Sequence, residues 1–161
     1  MAYKNKTYVA FHYGKAGNFN DGDKHYYHLM DAWSENEKMD FEFYNAHEIN
    51  RIMSSSLDST IESSLQERLR NTKLMILLMG QESKNRRWVK WELEQAIARE
   101  IPILVVDVTR KSNEINIGLL PDCLFKHRFG YTYYDQGKIQ SGMKDWMTRH
   151  SSVQMGHHLT Y

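Results

Sequence analysis

Apolar positions along the chain switch between two spacings, and the switches mark the elements. Thr7-Tyr8-Val9-Ala10-Phe11-His12-Tyr13 is rich in aromatic and β-branched residues and stops at Gly14, which predicts a first strand. Tyr26, Tyr27, Met30 and Trp33 then recur at helical spacing, which predicts a helix from about Asp23 to Asn36 with Asp21 or Asp23 as its N-cap. Phe41-Glu42-Phe43-Tyr44 reads as a short second strand, and Glu42 places it toward a sheet edge. Ile61, Leu65 and Leu69 form the stripe of a helix over about 58–71. Two wholly apolar runs follow, Leu74 to Gly80 and Ile103 to Val106, and such runs read as strands buried on both faces. The segment between them carries Val89, Leu93, Ala96 and Ile97 at i, i+4, i+7 and i+8, a crossover helix. Beyond Asp107 the pattern thins to a polar loop at 109–116, a short turn or helix near 119–125, a strand at 131–134 and a helix at 138–149. Strands alternating with helices predict an α/β domain, an open parallel sheet of about five strands with helices on both faces. Residues 1–150 are assigned to that domain and 151–161 to a C-terminal tail.

Composition narrows the function classes. The 161-residue chain is 41% hydrophobic and 25% charged, as expected of one globular domain. A formal net charge of +1 disfavours binding driven by charge to nucleic acid or a membrane surface. No apolar run approaches membrane-spanning length, and the start, Ala2 to Thr7, is too polar for a signal peptide. Cys123 is the one cysteine, which leaves no internal disulfide and no Cys-rich zinc site. A cytoplasmic location is expected. His25 and His28 are spaced i, i+3, but no His-Glu-x-x-His accompanies them, so no metal is expected.

Candidate chemistry gathers around the crossover helix. Trp88 and Glu92 are i, i+4 and share a face about 100° from the core stripe. Glu92 is therefore expected at the margin of the buried face, partly desolvated yet reachable, unless it pairs with Lys90 or Arg99. The helix starts just after the C-terminal end of a strand, where open α/β sheets place their ligands. The loop before it, Gln81 to Arg86, is polar and includes Ser83. Asn45 and His47 leave the second strand toward the same crevice and could bond ribose hydroxyls or a base. No Gly-x-Gly-x-x-Gly follows the first strand and no Gly-x-Ser-x-Gly is present, which disfavours a dehydrogenase and a serine hydrolase. The run Leu78-Met79-Gly80 lacks the aspartate that a phosphoacceptor receiver domain carries there.

The series apolar strand, Gly80, Ser83, Arg87-Trp88-Val89 and Glu92 resembles the third strand and following helix of Toll/interleukin-1 receptor (TIR) domains. The resemblance is strongest to the TIR-like domain of bacterial Thoeris anti-phage proteins and fades after Val108. It implies a flavodoxin-like sheet of order 2-1-3-4-5. It implies NAD as substrate, with no other cofactor, and Glu92 as the catalytic residue. Trp88 carries over as a site aromatic, and the end of the first strand, His12 and Tyr13, as one wall of the nucleotide pocket. A cyclic ADP-ribose-type product reaching an effector protein is the implied partnership, with self-association a further expectation.

One carboxylate suffices for such a reaction. Glycosidases use two because an alkoxide leaving group needs a proton. The nicotinamide of NAD is a pyridinium and leaves as a neutral molecule. Positive charge then develops on the ribose, where one carboxylate stabilises it. An aromatic face can hold the cationic ring for about 0.5–2 kcal/mol. Two other readings share this sequence: a non-enzymatic TIR adaptor, and a nucleoside deoxyribosyltransferase-like enzyme with a glutamate nucleophile.

Overall fold

The computed structural model describes residues 7–12, 14, 22–35, 58–149 and 158–160. The strands are β1 (Thr7–Ala10), β2 (Leu74–Met79), β3 (Ile103–Asp107), β4 (Phe129–Tyr133) and β5 (His158–Thr160). The helices are α1 (Lys24–Glu35), α2 (Asp58–Arg70), α3 (Arg87–Ala98) and α4 (Gln136–Arg149). Among the described residues the strands form one sheet in the order β1-β2-β3-β4-β5, every pair parallel. The expected strand at 41–44 lies outside the described residues. The expected order without that strand is the order seen from β1 to β4.

Part of the segment assigned to the tail is paired. His158–Thr160 pair with Phe129–Tyr131 of β4 and lengthen the sheet. Three polar-to-mixed residues give no usable alternation, so the pairing had no signal in the pattern. Ladder bonds from a neighbouring strand decide it.

Strands β1 to β4 send alternate side chains to two layers. Tyr8, Ala10, Met75, Leu77, Met79, Ile103, Val105, Phe129 and Tyr131 face α2 and α3, meeting Leu65, Leu69, Val89, Leu93 and Ala96. Val9, Phe11, Leu74, Ile76, Leu78, Leu104 and Val106 face α1 and α4, meeting Tyr27, Met30, Ile139 and Met143. Every residue of β2 is buried, as its unbroken apolar run requires. Helix α3 ends in a six-to-one closure: Ile101 N–H donates to Ala96 C=O at 2.9 Å and Glu100 N–H to Ile97 C=O at 3.0 Å. Glu100 takes the left-handed position there, φ 57°, where glycine is the usual occupant. Pro102 follows and starts the run into β3.

Candidate functional site

Helix α3 sets the site. Val89, Leu93 and Ala96 drive it onto the sheet, and Glu92 goes in with them. Glu92 is 0% exposed, not marginal as its spacing suggested. The helix packs across β1 as well as β2, so the flank of the stripe is closed over too. Tyr8, on the α3 side of β1 and 1% exposed, is the polar neighbour. Burial pushes the Glu92 carboxyl up from 4.5 to about 8, and the Tyr8 hydroxyl partly opposes this. The phenol is near enough to act on the charge, yet neither carboxyl oxygen has a well-formed hydrogen bond among the described residues. Charge without such bonds is costly in an apolar layer, so Glu92 holds its proton at neutral pH. The surface partners it might have taken are engaged elsewhere. Lys90 Nζ lies 3.9 Å from Glu94 and Arg99 bonds Gln95 at 2.7 Å.

Trp88 stands one turn before Glu92, half-buried against the same layer. Its ring meets Trp91 edge-on at 5.9 Å and 74°. The Arg87 guanidinium lies over it at 4.9 Å and also bonds Asp58 at 2.8 Å. The indole thus already holds a cation in the manner expected for a bound pyridinium. Ser83 is 0% exposed and closes the turn after β2. It accepts from Gly80 N–H at 2.8 Å and donates toward Leu78 C=O at 3.3 Å. His12 is half-buried just past β1, and its Nδ1 accepts from Gly14 N–H at 3.4 Å. Gly14 has φ 74°, a conformation that suits glycine and turns the chain off the strand. Tyr13, Asn45 and His47 lie outside the described residues.

Two residues that the sequence reading left in structural roles join the site. One is Tyr8. The other is Asp23, just before α1, whose N–H donates to His12 C=O at 2.8 Å. Its carboxyl lies on the Gly80 backbone: a Cβ added there would sit 2.6 Å from the Asp23 Cγ. Asp23 also bonds Ser83 through its side chain. Burial raises its pKa from 3.8 to about 6, and the Ser83 bond works against that rise. Asp23, His12, Gly80 and Ser83 therefore meet where β1 and β2 end. That is the crevice at which a doubly wound sheet takes its ligand. The Asp-Gly-Asp run announced an N-cap but not which way its carboxylates turn.

A second polar cluster, at the end of β3, is of another kind. Asp107 is 0% exposed and accepts from Thr109 N–H at 2.8 Å, from the Thr109 hydroxyl and from Tyr131 Oη at 2.8 Å. Arg110 Nε stands 3.8 Å away. On the outer side of α3 a groove is lined by Lys90, Glu94, Ile97, Cys123 and His127, away from Glu92. Burial, with Glu94 adding to it, raises the Cys123 thiol pKa, so that thiol is less ready to act as a nucleophile. Among the described residues no helix is long and apolar enough to cross a membrane, and no three His, Cys, Asp or Glu side chains group as a metal site.

The chain matches none of the curated proteins compared with it. A family model described as the Thoeris protein ThsB, TIR-like domain, matches residues 8–113, about two-thirds of the chain. That span runs from Tyr8 through Asp23, Ser83 and Glu92 to the loop beyond Asp107, and on it the chain belongs to the family of Thoeris ThsB TIR-like domains.

Proposed function

We propose that this protein is an NAD-processing enzyme of anti-phage defence. It cleaves the nicotinamide–ribose bond and makes a cyclic ADP-ribose-type signal for a partner effector. The observation that carries the reading is Glu92: a fully buried carboxyl in the helix after β2, with no well-formed hydrogen bond among the described residues. A buried carboxyl kept at that cost serves no evident packing purpose, and such groups concentrate where charge must be handled.

In the proposed reaction the C–N bond breaks and its electron pair goes to the pyridinium nitrogen. Neutral nicotinamide leaves. The ribose carbon becomes cationic, and the Glu92 carboxylate stabilises it until a nucleophile adds. Water gives linear ADP-ribose and releases a proton. An internal nucleophile of the same ADP-ribose gives a cyclic product. The carboxyl must be ionised to act. Its pKa of about 8 belongs to the site without substrate, and a pyridinium beside it favours the charged form.

Incubation with NAD, using protein from resting and from phage-challenged cells, tests the reading through nicotinamide release. Glu92→Gln should abolish release. Equal release by both proteins would remove Glu92 from the chemistry. The adaptor reading draws on the same enclosure, because a carboxyl with 0% exposure has no path to substrate unless the site opens. Self-association with no NAD turnover in either preparation would favour it.

A further inference from the structure

The crevice between the ends of β1 and β2 holds a carboxyl that the proposed reaction does not use. Asp23 is half-buried and comes from the loop before α1, on the far side of β1 from Glu92's helix. Three contacts fix it. Its own N–H is bonded to His12 C=O, its side chain to Ser83, and its carboxyl rests on the bare Cα of Gly80. Ser83 is itself fastened by Gly80 N–H and Leu78 C=O. The hydroxyl of Ser83 has one proton and two acceptors near it, the Leu78 carbonyl and the Asp23 carboxyl. Among the described residues Asp23 is thus held in place but not saturated: a carboxylate has about four acceptor sites. A purely structural tie is made differently in this same molecule, as Asp107 shows with its set of donors.

We propose that Asp23 is a substrate-binding residue that accepts hydrogen bonds from the vicinal diol of a ribose, with Ser83 and Gly80 positioning it. This rests on the nucleotide reading above and adds to it a second contact, from the element on the other face of the sheet from Glu92's helix. The chemistry follows from the group. A carboxylate repels phosphate and attracts paired hydroxyl donors, and two adjacent hydroxyls match its two oxygens. Gly80 is required because any side chain there would displace the carboxyl from the crevice.

The test combines one residue change with one change of substrate. Nicotinamide release, or calorimetric binding of ADP-ribose where turnover is silent, is measured for wild type and Asp23→Asn. NAD is compared with analogues lacking a hydroxyl on the nicotinamide ribose or on the adenosine ribose. For ADP-ribose the analogues lack the corresponding hydroxyls. Asp23→Asn should raise KM or Kd about 10- to 100-fold, the scale of a charge-assisted hydrogen bond, with kcat changed far less. One of the two analogues should lose as much with wild type and little more with Asp23→Asn, which identifies the ribose. Thermal melting checks that the variant folds. Gly80→Ala, which keeps the carboxyl but pushes it aside, should raise KM in the same way. Unchanged KM in Asp23→Asn, or equal losses with both analogues in both proteins, overturns the proposal. Loss of turnover in Glu92→Gln beside an unaffected Asp23→Asn overturns this inference alone. Failure of wild type to bind either NAD or ADP-ribose overturns the nucleotide reading with it.

Discussion

Asp107 and Glu92 are both 0% exposed, and both lie on the sheet face covered by α2 and α3. Their surroundings are opposite. Asp107 ends a strand at the rim and receives the Thr109 N–H, the Thr109 hydroxyl and the Tyr131 phenol. It ties the loop after β3 to β4, and Tyr131 in turn accepts from Asn116 N–H at 3.2 Å. Burial and the Asp107 acceptor hold the Tyr131 hydroxyl protonated, its pKa raised to about 12. Glu92 comes from mid-helix, among Val89, Leu93 and Ala96, where backbone N–H groups are already bonded within the helix. Among the described residues its polar influence is Tyr8, and its proton stays on. The contrast separates two buried carboxyls. One is satisfied and stabilises; the other has no well-formed hydrogen bond among the described residues, and it is the one to which the proposed reaction gives a role.

Substitutions can break or sharpen this contrast. The largest effect expected is on activity: Glu92→Gln should lower nicotinamide release by about 10²–10³-fold or more, since it removes a charge aimed at the transition state. Asp107→Asn should leave release within a few-fold, measured side by side. A reversed pattern would undo the division of roles.

Stability should separate them in the other direction. Asp107→Ala strands the Tyr131 and Thr109 donors in a buried site and should cost about 3 kcal/mol in urea unfolding. Glu92→Gln should instead stabilise, and its effect should depend on pH. The folded carboxyl keeps its proton to about pH 8, whereas the unfolded chain releases it near 4.5. The folded state thus binds the extra proton between those values, and wild-type stability falls as pH rises through that window. Glutamine has no proton to lose. The stability of the variant relative to wild type should therefore rise by about 3–5 kcal/mol from pH 4.5 to pH 8, and the cost of the buried amide lowers it equally at both ends. A difference that is the same at both pH values would mean that Glu92 is charged in the folded protein.

Glu100 supplies the smallest and cleanest reference. It is an exposed carboxylate just beyond α3, and its cost is its left-handed backbone. Glu100→Gly should stabilise by about 0.5–1 kcal/mol with no change in release, read by thermal melting. Loss on that change would show that the side chain does more there than occupy the position.

Much of this architecture was legible along the chain because it follows from period. Leu74 to Met79 could only be a strand covered on both faces, and the stripe Val89, Leu93 and Ala96 could only lay α3 on it. The Trp88–Glu92 pair and its place after a strand end were readable for the same reason. How far Glu92 sinks was not, since spacing gives the angle from the stripe but not what closes the flank; β1 and Tyr8 decide that. Nor could spacing show that Arg87 covers the Trp88 ring, or that Ser83 is taken up by its own turn. Asp23 reads as a helix cap from its neighbours alone. Its meeting with Gly80 and Ser83 needs two strands, distant in sequence, laid side by side. The sequence by itself determined the strands and helices from β2 to β3, whose apolar periods are strong, because side-chain period is a local property; it did not determine β5. The tertiary structure alone decided which carboxyl is satisfied and which is not, because hydrogen-bond partners and desolvation come from residues far apart in the chain.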